Sequence, residues 1–119
     1  MQISEIRDGE TVTLSLVGKM DTFGAPMVET KATSLCQPGV RTVLIDMGSV
    51  DYMTSAGFRA LIAIRRKAEH SAIGIALCGL NELIDELFKV SGLRGNFHIY
   101  ADRAAALAAI GKPAQPNIS

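Results

Sequence analysis

The residues best placed to do chemistry lie between Val43 and Arg66, where the apolar run VLIDM gives way to a short polar segment that delivers Ser55 to the start of an amphipathic helical pattern. A hydroxyl there sits among backbone N–H groups without intrahelical partners and at the positive end of a helix dipole. A phosphate ester is therefore tolerated at that position. The position equally suits plain capping, with Thr54 or Ser55 accepting a backbone hydrogen bond, and position alone leaves both readings open. One helical turn on, Arg59 is spaced to reach back toward a phosphate on Ser55, because helical side chains lean toward the N-terminus. Its other reading is a solvated arginine. Arg65, Arg66 and Lys67 complement the negative C-terminal end of the same helix. Thr54-Ser55-Ala56-Gly57 lacks the first glycine of a G-x-S-x-G nucleophile elbow. His70 falls at the far end of the helix and His98 in a strand pattern, so neither is placed as a catalytic base, and the chain reads as a non-enzyme.

Several elements must position that serine. MQISEIR and TVTLSLVG are β-patterned runs joined by the turn signal Asp8-Gly9-Glu10. Val12, Leu14 and Leu16 alternate with Thr11, Thr13 and Ser15, which predicts one buried and one wet face at an edge of a sheet. A helix is expected from Phe23 to about Leu35, with Pro26 in its first turn and Pro38-Gly39 beyond its end; Met27, Val28, Lys31, Ala32 and Leu35 fall at helical spacing. VLIDM, where Asp46 reads as the end of the strand, and IGIALCG read as central strands separated by a helix over 54–69, whose Leu61, Ile64 and Ala68 share the face toward the sheet. Leu80, Leu83, Ile84, Leu87 and Phe88 form the stripe of a third helix that Gly92 stops. FHIYA is a last strand, and DRAAALAAI a last helix capped by Asp102. Asp21 belongs to a loop at the same end of the sheet as Ser55, where ligands and partners meet such sheets, or it caps the helix that follows. Met53 and Phe58 are expected in the core.

The chain has 119 residues, 48% of them hydrophobic, which suits one core. Twelve basic and twelve acidic residues cancel, arguing against nucleic acid as a direct partner. MQISEIRDGE has no signal-peptide pattern, and no uncharged stretch reaches the roughly 18 residues of a membrane helix. The expected location is the cytoplasm, without membrane insertion. Cys36 and Cys78 lack CxxC spacing and read as small apolar residues; no metal site and no cofactor are expected. The tail GKPAQPNIS carries two prolines and no apolar period. The expected organisation is one domain over residues 1–111 with a flexible tail over 112–119.

Three segments carry a family resemblance: Gly18-Lys19-Met20-Asp21, Tyr52-Met53-Thr54-Ser55-Ala56-Gly57-Phe58 and Phe88-Lys89-Val90-Ser91-Gly92-Leu93. Together they resemble the STAS domain of bacterial anti-sigma-factor antagonists, whose loop commonly reads Met-Asp-Ser-(Ser/Thr)-Gly-Leu with the first serine phosphorylated. Ser55 takes that place, while Thr54 replaces the usual Asp and Ala56 the usual Ser or Thr. The resemblance implies a single α/β STAS-like domain, a mixed, mostly parallel sheet of about five strands with about four helices. It also implies partner switching. The unmodified chain would bind an anti-sigma factor that is a serine kinase of the histidine-kinase-like ATPase fold, and a phosphate on Ser55 would break the complex. The partner-facing residues so implied are Asp21, Thr54, Ser55, Ala56, Gly57, Arg59, Ser91 and Gly92; magnesium and ATP would belong to the kinase. A serine phosphatase that resets the state is left open. The alternative is a STAS interaction subunit with no phosphorylation cycle, for example of a lipid-transport ATPase.

Overall fold

The computed structural model of the chain describes residues 1–110; the expected tail lies outside them. The elements in order are β1 (Gln2–Asp8), β2 (Thr11–Met20), α1 (Gly24–Ser34), β3 (Thr42–Met53), α2 (Ser55–His70), β4 (Gly74–Cys78), α3 (Glu82–Ser91), a 3-10 turn (Arg94–Asn96), β5 (His98–Tyr100) and α4 (Arg103–Ile110). They form one mixed five-stranded sheet in the order β1-β2-β3-β4-β5. β1 and β2 are an antiparallel hairpin turned at Gly9, whose φ is 62°, and the other pairings are parallel. This is the mixed α/β architecture expected from the pattern, and Asp102 caps the start of α4 and Gly92 stops α3 as predicted. Asp102 Oδ1 accepts from Ala105 N at 2.8 Å, and Gly92 takes the left-handed conformation at φ 75°.

One face of the sheet holds the main core. Val12, Leu14 and Leu16 of β2, Val43, Ile45 and Met47 of β3 and Ile75 and Leu77 of β4 pack with Val28 and Ala32 of α1, Leu61, Ile64 and Ala68 of α2, and Ile84 and Phe88 of α3. From the predicted stripes, Met27 is 49% and Leu83 53% exposed. Each lies a helical step round from the buried residue that follows it, Val28 or Ile84.

The wet face expected of β2 is overturned at Thr11 and Thr13, which are 8% and 0% exposed. α4 lies on the second face and packs Ala106 against Leu44, Ala76 and Cys78, and Thr13 is the register partner of Leu44. Its Oγ1 is buried without a hydrogen-bond partner. Burial on this face, and then Asp46, push the Cys78 thiol up to about 12. Both cysteines are free.

Asp46 does not end its strand. It ends only the pairing of β3 with β4, at Cys78, while β3 continues beside β2 to Met53 through two register shifts. The polar segment that reads as loop, Gly48 to Tyr52, is therefore strand. Each shift sets one extra β3 residue against β2, and such bulges break the alternation that marks a strand in sequence. Beyond Asp46 the side of β3 that β4 has left is held by Asn81, whose Nδ2 donates to the carbonyls of Val50 at 3.1 Å and Asp51 at 3.4 Å. Its Oδ1 accepts from Ile84 N at 2.8 Å and caps α3. Among the described residues no helix is long and apolar enough to cross a membrane.

Candidate functional site

β2 and β3 end side by side, with Met20 the register partner of Met53. Only Thr54 separates β3 from α2, and it is fixed by three hydrogen bonds. Its N–H donates to Met20 O at 3.0 Å, its hydroxyl donates to the same carbonyl at 3.4 Å, and its Oγ1 accepts from Ala56 N at 3.2 Å. Thr54 has extended backbone angles and is the N-cap of α2. That resolves the ambiguity between the two hydroxyls, because capping falls to Thr54 and leaves Ser55 free of it. Ser55 is exposed as the first helical residue, and its Oγ accepts from Arg59 Nη1 at 3.4 Å, across one turn.

The helix approaches the strand ends this closely because residue 57 has no side chain. A Cβ at Gly57 would stand 2.3 Å from Met53 Cγ and 2.9 Å from Met20 O. Gly24 does the same for α1, where a Cβ would stand 2.2 Å from Lys19 O. Asp21 turns the chain into α1: its Oδ1 accepts from Gly24 N at 2.8 Å and Phe23 N at 3.0 Å. These two donors hold its carboxyl below the usual carboxylate range. Asp21 thus lies beside Met20, to which Thr54 is bonded, and its carboxylate performs the capping that was one of its two readings.

α1 and α2 begin together, and Thr22, Pro26 and Glu29 face Ala56 and Arg59 across a shallow groove of about 250 Å³. Beside it Phe23 is 84% exposed, and Met27 follows one turn later on α1. Neither was legible as a surface residue, since an apolar residue at a helix start reads as core. Met53 is buried as expected, whereas Phe58 is half-buried with its ring 5.1 Å from that of Phe88. Ser91 and Gly92 close α3, three and four residues after Phe88, whose ring packs against Phe58 in the first turns of α2. There Ser91 Oγ donates to Phe88 O at 3.1 Å.

A STAS-domain family model matches residues 2–106. The chain belongs to the STAS-domain family. A relative of this STAS chain, the Bordetella bronchiseptica protein BtrV, bears the name of an anti-sigma factor antagonist. It is 31% identical over 102 residues, covering 86% of this chain and 87% of the relative. The anti-sigma-B factor antagonist of Staphylococcus aureus is 24% identical over 82 residues, 69% of this chain and 76% of that protein. Among solved structures, the anti-sigma factor antagonist SpoIIAA in its unphosphorylated form matches with a TM-score of 0.75 at 17% identity, over 94% of this chain and all of that one. Bacillus SpoIIAA in its phosphorylated form matches with a TM-score of 0.72 at 22% identity, over 92% of this chain and 99% of that one. These structural likenesses establish the STAS fold, and the named relatives are regulators.

Proposed function

We propose that this chain is an anti-sigma-factor antagonist that works by partner switching in the cytoplasm, as an interaction domain over residues 1–111 with no catalytic activity of its own. Unmodified, it binds an anti-sigma factor that is also a serine kinase of the histidine-kinase-like ATPase fold. The docking surface is the α1–α2 groove with Asp21, Thr54, Ser55, Ala56, Gly57 and Arg59, and Phe23 and Met27 supply exposed apolar anchors beside it. Exposed aromatic residues that enter a partner's pocket carry much of the binding energy at such interfaces. Ser91 and Gly92, at the end of α3 that follows the Phe58–Phe88 contact, extend the surface offered to the partner.

The observation that carries this reading is the division of labour between two adjacent hydroxyls: Thr54 caps α2, and Ser55 presents an accessible Oγ beside Arg59. Transfer of the γ-phosphoryl group of ATP to Ser55 Oγ releases ADP and adds about 1.5 to 2 negative charges. The helix N-terminus and Arg59 accommodate that charge locally. A partner packed against the same surface would have to desolvate it, so the complex opens. SpoIIAA, which shares the fold, is known in both phosphorylated and unphosphorylated forms. The test is intact-mass analysis after incubation with ATP and the kinase-fold proteins of the source cell. One added phosphate, absent from Ser55→Ala, is expected; no added mass with every such kinase overturns the switch.

A second reading is favoured by Thr54 and Ala56, which depart from the residues usual around the modified serine. In it the chain is a STAS subunit held permanently in a complex such as a lipid-transport ATPase. Stable co-purification with such an assembly, with Ser55 unmodified throughout growth, would select that reading.

A further inference from the structure

The sheet has two edges. β5 is only three residues long, whereas β1 runs for seven and is paired to β2 without a register shift from Gln2 to Asp8. Among the described residues its outer side has no neighbouring strand and carries a row of backbone donors and acceptors, and a long regular edge of that kind is a template for another strand. Charges usually protect such edges. Those on β1 are placed differently: Glu5 and Arg7 flank Ile6, which is 37% exposed and points to the opposite face.

We propose that β1 pairs antiparallel with β1 of a second copy, about a twofold axis through Ile6, giving a continuous ten-stranded sheet. Residues directly opposite each other must share a face, so the axis has to pass through a residue. An axis through Glu5 sets Glu5 against itself, and one through Arg7 sets Arg7 against itself. The axis through Ile6 sets Ile6 against Ile6, Glu5 against Arg7 twice, and Ser4 against Asp8. The opposite charges then meet across the axis, and the apolar residue meets its own copy. Glu5 already holds Lys31 at 2.7 Å through Oε1, and its Oε2 lies 3.6 Å from Arg7 Nε, so that second oxygen already faces a guanidinium on the same face.

The test is sedimentation velocity of the full chain from micromolar to millimolar concentration, with a urea midpoint for each variant to show that it is folded. Wild type should move from monomer to dimer as concentration rises. Arg7→Glu sets like charges opposite one another and should weaken the dimer at least ~tenfold. Ile6→Lys should do the same, and the double variant Glu5→Arg with Arg7→Glu should restore it. Wild type that stays monomeric throughout overturns the proposal. So does a dimer indifferent to Arg7→Glu, or a folded double variant that remains monomeric.

Discussion

Gly57→Ala sets two physical effects against each other at the site. Gly57 is the third residue of α2, where replacing glycine by alanine in an ordinary helix gains about 0.8–1 kcal/mol from propensity. The added Cβ, however, would stand 2.3 Å from Met53 Cγ and 2.9 Å from Met20 O. Neither neighbour yields cheaply: Met53 is 2% exposed, and Met20 O belongs to β2 and also receives the N–H of Thr54. Overpacking of this kind costs about 1–3 kcal/mol, and a backbone contact belongs at the upper end. The net expectation is destabilisation by about 2 kcal/mol. With about 2.1 cal/mol/K of unfolding entropy per residue, a chain of 119 residues then loses about 8 °C in Tm. Gly95, whose Cβ would meet nothing within 4 Å, is the control, and its alanine variant should stay within about 0.5 kcal/mol of wild type. The assay is thermal and urea unfolding of the three proteins followed by circular dichroism. A Gly57→Ala chain as stable as wild type, or more so, would refute the close approach of α2 to the strand ends.

Three further outcomes follow from the same geometry. Asp21 has its pKa lowered by the N–H groups of Gly24 and Phe23, so its contribution to stability is present above its ordinary value of 3.8 and is lost as pH falls through the lower folded value. Asp21→Asn keeps an acceptor but cannot titrate, so the urea-midpoint gap between wild type and variant should be constant near neutrality and shrink below pH 3.8; a gap that does not change in acid contradicts the assignment. Asn81→Ala removes both the α3 cap and the ties to Val50 and Asp51, and should cost about 1–2 kcal/mol in urea unfolding. Asn81→Asp keeps the cap acceptor but loses the donors, so a fully stable Asp variant would show that the ties contribute nothing. Phe23→Ala should weaken binding to the kinase partner by at least ~1 kcal/mol in calorimetry while leaving Tm unchanged, since the ring is exposed; an unaltered affinity would remove Phe23 from the docking surface.

Much of this architecture is legible in the chain because its patterns are local. The alternation at Val12, Leu14 and Leu16, the stripe Leu61, Ile64 and Ala68, the stop at Gly92 and the cap at Asp102 each report one element's own geometry. What escaped depends on a second element. The outer half of β3 is polar and bulged, and it is strand only because β2 runs alongside it to Met20. Thr13 is buried because α4 covers that face from far along the sequence. Sequence placed Ser55 at the helix start but could not choose between it and Thr54 as the cap, because both are hydroxyls at adjacent positions. The extended backbone of Thr54, anchored to Met20 O, makes that choice. The spacing of Arg59 was readable, whereas the exposure of Phe23 and Met27 follows from which side of α1 meets the sheet.

The most direct test of the account is to incubate the wild-type chain, Ser55→Ala and Thr54→Ala with ATP, magnesium and the kinase-fold partner, and to follow intact mass and complex formation together. The account predicts one phosphate on wild type with loss of the complex. It predicts an unmodified, permanently bound Ser55→Ala, and a Thr54→Ala chain still modified at Ser55 though less stable by about 1 kcal/mol. A phosphate that persists in Ser55→Ala, or one that leaves the complex intact, would contradict it.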